Sequence, residues 1–158
     1  MSLLKTNYAN GIYPMPSASD SNVLAVRMEY SLAAALALND VMYMGDLTSN
    51  HLPVDFMLDS DDLDTGGAPA VVLAVGIINA TDNGLSTDAA DGGAAWLAGS
   101  TIGQAGGMAR PTTNVLSRVA ASESSRRIGV HVSTAPATGA TTGKVGLMFQ
   151  YRAAHYGK

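Results

Sequence analysis

The chain contains no cysteine. That removes disulfide frameworks, thiolate zinc sites and cysteine nucleophiles from consideration, although it identifies no compartment. Charge is scarce as well: 14% of the residues are Asp, Glu, Lys or Arg, against a usual quarter or so. Much of the surface must then be uncharged, and burying part of it against other copies or another protein is the economical way to keep such a chain in solution. The net charge of −4 comes with scattered Arg and Lys residues and no basic footprint, so nucleic acid is not an expected partner. No apolar run reaches the roughly 20 residues that span a bilayer. The opening MSLLKTNYANGIYPMPS lacks the apolar core of a secretion signal. No membrane partner is expected, and the product reads as a soluble protein made in the cytoplasm.

Catalytic signatures are missing too. G-x-S-x-G, H-E-x-x-H and a P-loop do not occur, and none of the three histidines, His51, His131 and His155, lies in a recognisable nucleophile motif. Gly103-Gln104-Ala105-Gly106-Gly107 looks like a phosphate loop but lacks its lysine and its strand-loop-helix setting, so it reads as a plain loop. Neither an enzyme nor a resident cofactor is expected. No fixed-period repeat points to a propeller or solenoid.

What is present is β-strand patterning. The length of 158 residues, 47% of them apolar, fits one domain. In the stretch 51–79 two apolar runs, Leu52 to Leu58 and Ala70 to Ile78, flank an acidic, glycine-containing loop. In the first run Leu52, Val54, Phe56 and Leu58 alternate with Pro53, Asp55, Met57 and Asp59, which predicts one buried sheet face. The second run is apolar on both faces and should be covered on both sides, with a neighbouring subunit as one candidate cover. Leu24, Val26, Met28 and Tyr30 alternate with polar or small residues, as do Ile128, Val130 and Val132, and Val145, Leu147, Phe149 and Tyr151. Ser31 to Leu38 has helix propensity but marginal length, and it is read as an irregular connection before a short strand at Val41 to Met44. Val115 to Ala121 could form a short helix. Trp96 is expected to anchor a core or an interface.

Counted together, seven or eight short strands and almost no helix predict an all-β fold: a jelly-roll-like β-sandwich spanning 21–158. Residues 1–20, with Asn10-Gly11, Pro14 and Pro16, read as an extended N-terminal arm. Such an arm either frays or lies across a neighbour, with Ile12, Tyr13 and Met15 as its apolar contacts.

Asp59, Asp61, Asp62 and Asp64 precede Gly66-Gly67, and clustered carboxylates before glycine can bind calcium. The twelfth position counted from Asp59 is Ala70 and from Asp62 is Leu73, so the closing glutamate of an EF-hand loop is missing. A turn whose aspartates accept backbone hydrogen bonds is the favoured reading, and no metal is assigned. Arg126-Arg127 could meet this loop in another copy, but a solvated pair is the simpler expectation. The eight methionines point to adaptable packing surfaces.

Several stretches resemble a known family. Asn39-Asp40-Val41, Met44-Gly45-Asp46-Leu47, Leu52-Pro53-Val54 and the segment Asp61-Asp62-Leu63-Asp64-Thr65-Gly66-Gly67-Ala68-Pro69 running into Val75-Gly76-Ile77 are similar to small structural proteins of tailed-bacteriophage head modules. So are Arg127-Ile128-Gly129-Val130 and Val145-Gly146-Leu147. The nearest likeness is to the cement, or head-decoration, proteins on the capsid exterior. The resemblance implies a jelly-roll fold, self-association as a homodimer or homotrimer, the major capsid protein as partner, and a place on the outside of the virion after synthesis in the host cytoplasm. It transfers no functional residue. Candidate contact residues come from the sequence itself: Ile12, Tyr13 and Met15 in the arm, Asp59, Asp61, Asp62 and Asp64 in the loop, and Trp96. The alternative is a calcium- or carbohydrate-binding β-sandwich module, drawn from the aspartate loop and from Tyr, Trp and Asn in loops. An enzyme on a jelly-roll barrel is weaker, since a metal site there wants several converging histidines.

Overall fold

The computed structural model describes residues 2–15 and 22–154. The described residues form nine strands: β1 (Leu3–Lys5), β2 (Val23–Ser31), β3 (Val41–Leu47), β4 (His51–Ser60), β5 (Val72–Ile77), β6 (Leu97–Ser100), β7 (Gly107–Ala109), β8 (Arg126–Thr134) and β9 (Lys144–Ala153). They make a five-stranded sheet in the order β1-β3-β8-β5-β6 and a four-stranded sheet in the order β2-β9-β4-β7. Four antiparallel pairings are nested: β2 with β9, β3 with β8, β4 with β7, and β5 with β6. This is one long hairpin rolled up, the jelly-roll arrangement. Rolling also lays β9 against β4 and β8 against β5, which completes the two sheets of the sandwich.

The period-two faces meet between the sheets. Val26 and Met28 of β2, Phe56 and Leu58 of β4, and Val145, Leu147, Phe149 and Tyr151 of β9 share one buried cluster with Met42, Met44, Leu73, Val75, Ile128, Val130 and Val132. Trp96, fully buried just before β6, stacks on Phe149 with ring centroids 6.0 Å apart and planes within 6°. Phe149 in turn stacks on Tyr151 at 5.6 Å. The indole N–H donates to the Asp91 carbonyl at 3.1 Å, so the ring carries no unsatisfied donor into the core.

Three local expectations change. In β4 the register shifts between Pro53 and Asp55, and this bulge leaves Pro53, Phe56 and Leu58 inward but Val54 exposed. The extra residue breaks the two-residue period, which is why Leu52 and Val54 fall off the buried face. The outer side of β5 is covered by the chain itself rather than by a neighbour: Leu85 and the Ala95 backbone lie over Gly76. The short helix at 115–121 is a single 3₁₀ turn, Leu116–Arg118. Between β2 and β3 the alanine-rich connection is irregular, as expected; Leu32 and Leu36 are drawn into the core, and the Ala37 N–H donates to Asp40 at 2.9 Å. Tertiary burial overrides helix propensity there.

Of the N-terminal segment, Leu3–Lys5 runs parallel to β3 and residues 7–11 form a turn. Residues 16–20 and His155 lie outside the described residues.

Candidate interaction surfaces

Each sheet has an outer face, and the two differ. The outer side of the five-stranded sheet is largely overlaid by its own chain: Val41, Tyr43 and Ile78 pack with Leu3 and Ala9, and the segment after β5 lies over Gly76. The outer side of the four-stranded sheet carries no such layer among the described residues. Cross-strand register places Arg27, Met148 and Met57 in one row, and Glu29, Gly146, Asp59 and Met108 in the next. Met108 is 69% exposed, and Met57 and Met148 are half-buried neighbours. Flexible thioethers held on a rigid sheet make a surface that can adapt to a partner's shape.

Charges frame these methionines. Arg27 donates to Glu29 and, at 2.7 Å, to Asp59, and Lys144 reaches Glu29 at 2.8 Å. A second pair, Arg110 with Asp55 at 2.6 Å, lies toward β7. The Arg27–Asp59 bridge crosses the sheet directly over Gly146, where a methyl group would overlap both side chains. Hydrogen bonds from Arg27 first and Lys144 second hold the Glu29 carboxyl below the usual carboxylate range, and the bonds to Glu29 and Asp59 raise Arg27 in turn.

The aspartates expected to form one loop surface do different jobs. Asp59 belongs to the outer sheet face just described. Asp61 accepts the Lys144 N–H at 2.8 Å, and Asp62 accepts the Asp64 N–H at 3.0 Å. Asp64 is 1% exposed and accepts four backbone N–H groups: Ala70 at 2.6 Å, Val71 at 3.2 Å, Ala137 at 2.8 Å and Thr138 at 2.8 Å. Burial acts to raise its pKa, but the backbone donors outweigh it and hold the carboxyl well below its ordinary value. This side chain staples the loop after β4 to the loop after β8. Among the described residues no three His, Asp or Glu side chains gather in a metal-binding group.

Ile12 and Tyr13 stand at the turn of the N-terminal segment, 61% and 52% exposed, with Tyr13 edge-on to Tyr8 at 5.6 Å. Met15 packs against the core. Trp96 is interior in the single chain. Arg126 does not reach outward: it pairs with Asp91 at 3.0 Å and donates to the Ala90 and Ala120 carbonyls. His51 in β4 lies near Thr48 and Ser49, and His131 in β8 belongs to the other sheet, so the two do not converge. The methionine-and-charge face was missed in the sequence; its signal was the Arg27, Glu29 alternation together with Lys144 and Met148 on the polar phase of β9.

No family profile and no curated protein sequence matches the chain. Among solved structures, a chain from the capsid of Ralstonia phage GP4 is 35% identical, with 98% of this chain and 100% of that chain covered and a TM-score of 0.84. A chain from the cyanophage Pam1 capsid asymmetric unit shares the fold, with a TM-score of 0.63 at 22% identity over 89% of this chain and 94% of the other. A rolled sandwich with this likeness defines a phage structural protein of the virion. The chain belongs to the family of the Ralstonia phage GP4 capsid chain.

Proposed function

We propose that the chain is a cement protein, which binds the outer surface of the capsid and clamps neighbouring major capsid subunits without catalysing a reaction. The observation that carries this reading is full-length similarity to a phage capsid chain in a sandwich whose four-stranded sheet presents an exposed Met108 beside half-buried Met57 and Met148 on its outer face. A protein that works by contact needs a rigid scaffold and an adaptable patch, and both are present. Each copy that prefers the assembled lattice pulls the equilibrium away from disassembly, and many modest contacts sum through multivalency. Ile12 and Tyr13 offer a second contact point at the edge of the molecule.

The test is reconstitution. Capsids stripped of this protein are mixed with the purified chain, then sedimented and heated. Co-sedimentation and a raised temperature of disassembly are expected. Absence of binding, or binding without heat resistance, overturns the cement reading. Met57→Glu and Met148→Glu, placed on the open face, should weaken binding at least tenfold while leaving the chain folded.

A further inference from the structure

The free edges of the two sheets share a groove. β1 ends the five-stranded sheet and β2 ends the four-stranded sheet, and a groove of about 420 Å³ is lined from both sides. The N-terminal segment supplies one wall, with Asn7, Tyr8 and Tyr13, and β2 supplies the other, with Arg27, Glu29 and Tyr30.

Both walls are held in place. Thr6, 2% exposed, donates its hydroxyl to the Met44 carbonyl and accepts the Ala9 N–H at 3.1 Å. The Asn7 carbonyl accepts the Ile12 N–H at 2.9 Å, which closes the turn between Tyr8 and Tyr13. Opposite, Arg27 and Glu29 are fixed by their bonds to each other, to Asp59 and to Lys144. A site built in this way loses little freedom when a ligand arrives.

Much of the groove's hydrogen-bonding capacity is unused. Among the described residues the Asn7 side-chain amide and the hydroxyls of Tyr8, Tyr13 and Tyr30 have no hydrogen-bond partner in the chain. The backbone of β2 adds to this set. The Leu32 N–H donates to the Gly143 carbonyl at 2.8 Å, and this pair continues the β2–β9 register. Such pairs alternate in an antiparallel ladder, so the amides and carbonyls of Arg27, Glu29 and Ser31 point away from β9.

We propose that this groove binds a short, uncharged oligosaccharide, which gives the virion protein a glycan-binding activity besides its structural one. A sugar ring has a C–H face that packs on an aromatic ring and a rim of hydroxyls that donate and accept at once. Tyr13, 52% exposed and edge-on to Tyr8, supplies a rigid amphipathic platform of that kind, and the unspent amide, hydroxyl and backbone groups surround it. Other ligand classes fit less well. An extended peptide is read through pockets for alternate side chains, and no aliphatic residue lines this groove. A nucleic-acid strand needs a cationic track, whereas Lys5 and Arg27 stand here with Glu29 in a chain of net charge −4. On a virion carrying many copies, weak single sites add up to firm attachment. The inference does not rest on the cement reading, and its test uses the free chain.

Labelled chain is applied to an array of neutral and polyanionic oligosaccharides, and the strongest neutral probe is titrated by calorimetry. Binding to neutral probes is expected. Tyr13→Ala and Asn7→Ala, both at exposed positions, should keep the fold by circular dichroism and weaken binding about tenfold each. Tyr13→Phe keeps the ring and should stay within about threefold of the unmodified chain. Val54→Ala, exposed but outside the groove, should bind unchanged. Silence across the array overturns the proposal, as does binding that survives both Tyr13→Ala and Asn7→Ala. Binding confined to polyanionic probes and lost in high salt also overturns it, because charge alone would then account for the contact. A loss in Tyr13→Phe as deep as in Tyr13→Ala overturns the stacking geometry.

Discussion

Phe149 joins the two sheets, and its removal should be felt throughout the molecule. It is fully buried and stacked between Trp96 and Tyr151. Trp96 enters from the connection into β6 on the opposite sheet, whereas Phe149 and Tyr151 belong to β9. Phe149→Ala deletes a ring that close-packed neighbours cannot fully replace, at a cost of about 3–5 kcal/mol. Against a typical total stability of about 5–15 kcal/mol, that is a large fraction. For a domain of this size each kcal/mol lowers Tm by about 2–4 °C, so a fall of roughly 6–20 °C is expected. Urea unfolding at one fixed chain concentration measures it, and the sole tryptophan supplies the signal because it touches the deleted ring. Ile12→Ala, at an exposed position, is the control and should shift stability by no more than about 0.5 kcal/mol. A Phe149→Ala loss below about 1 kcal/mol with an unchanged urea slope would show that the stack does not bind the sheets together.

Asp64→Asn should destabilise the fold and open residues 61–71 to protease, because an amide nitrogen would face backbone donors. The folded carboxyl lies below its ordinary value, so its stabilisation is present above about pH 4 and is lost as pH falls further. The gap between wild type and Asp64→Asn in urea midpoint should accordingly be flat near neutrality and shrink in acid. Burial first, and the 2.6 Å bond to Asp46 second, raise the Tyr43 hydroxyl above its usual range. Stability from its neutral form is complete below about pH 10 and is lost as pH rises beyond that value. Tyrosinate absorbance should therefore appear later in the folded chain than in urea, and Tyr43→Phe should reduce the lag. Arg27→Ala removes partly exposed ion pairs and should change monomer stability by less than about 1 kcal/mol by calorimetry.

The strands were legible wherever burial follows a strict two-residue period. Val26 and Met28 in β2, Ile128, Val130 and Val132 in β8, and Val145 to Tyr151 in β9 all point inward as the alternation predicts. Reading failed where geometry depends on distant partners. The bulge at Pro53 is defined by pairing with Tyr151, nearly a hundred residues away, and nothing local announces which side of it Val54 will face. The same limit hid the roles of the aspartates. Their clustering is a property of the chain, whereas the division into one surface charge, Asp59, and one internal staple, Asp64, is set by the loop at 137–138. The open sheet face was invisible for a related reason: which face receives a second layer depends on where the connection after β5 folds back.

The nesting of the strands also orders events in time. Both β2 and β4 rest on β9, the most C-terminal strand among the described residues, so a growing chain has no four-stranded sheet and no methionine patch until synthesis has passed that strand. A truncated product lacking β9 would lose Met148 and would keep Arg27, Met57 and Met108 with no strand between β2 and β4 to align them.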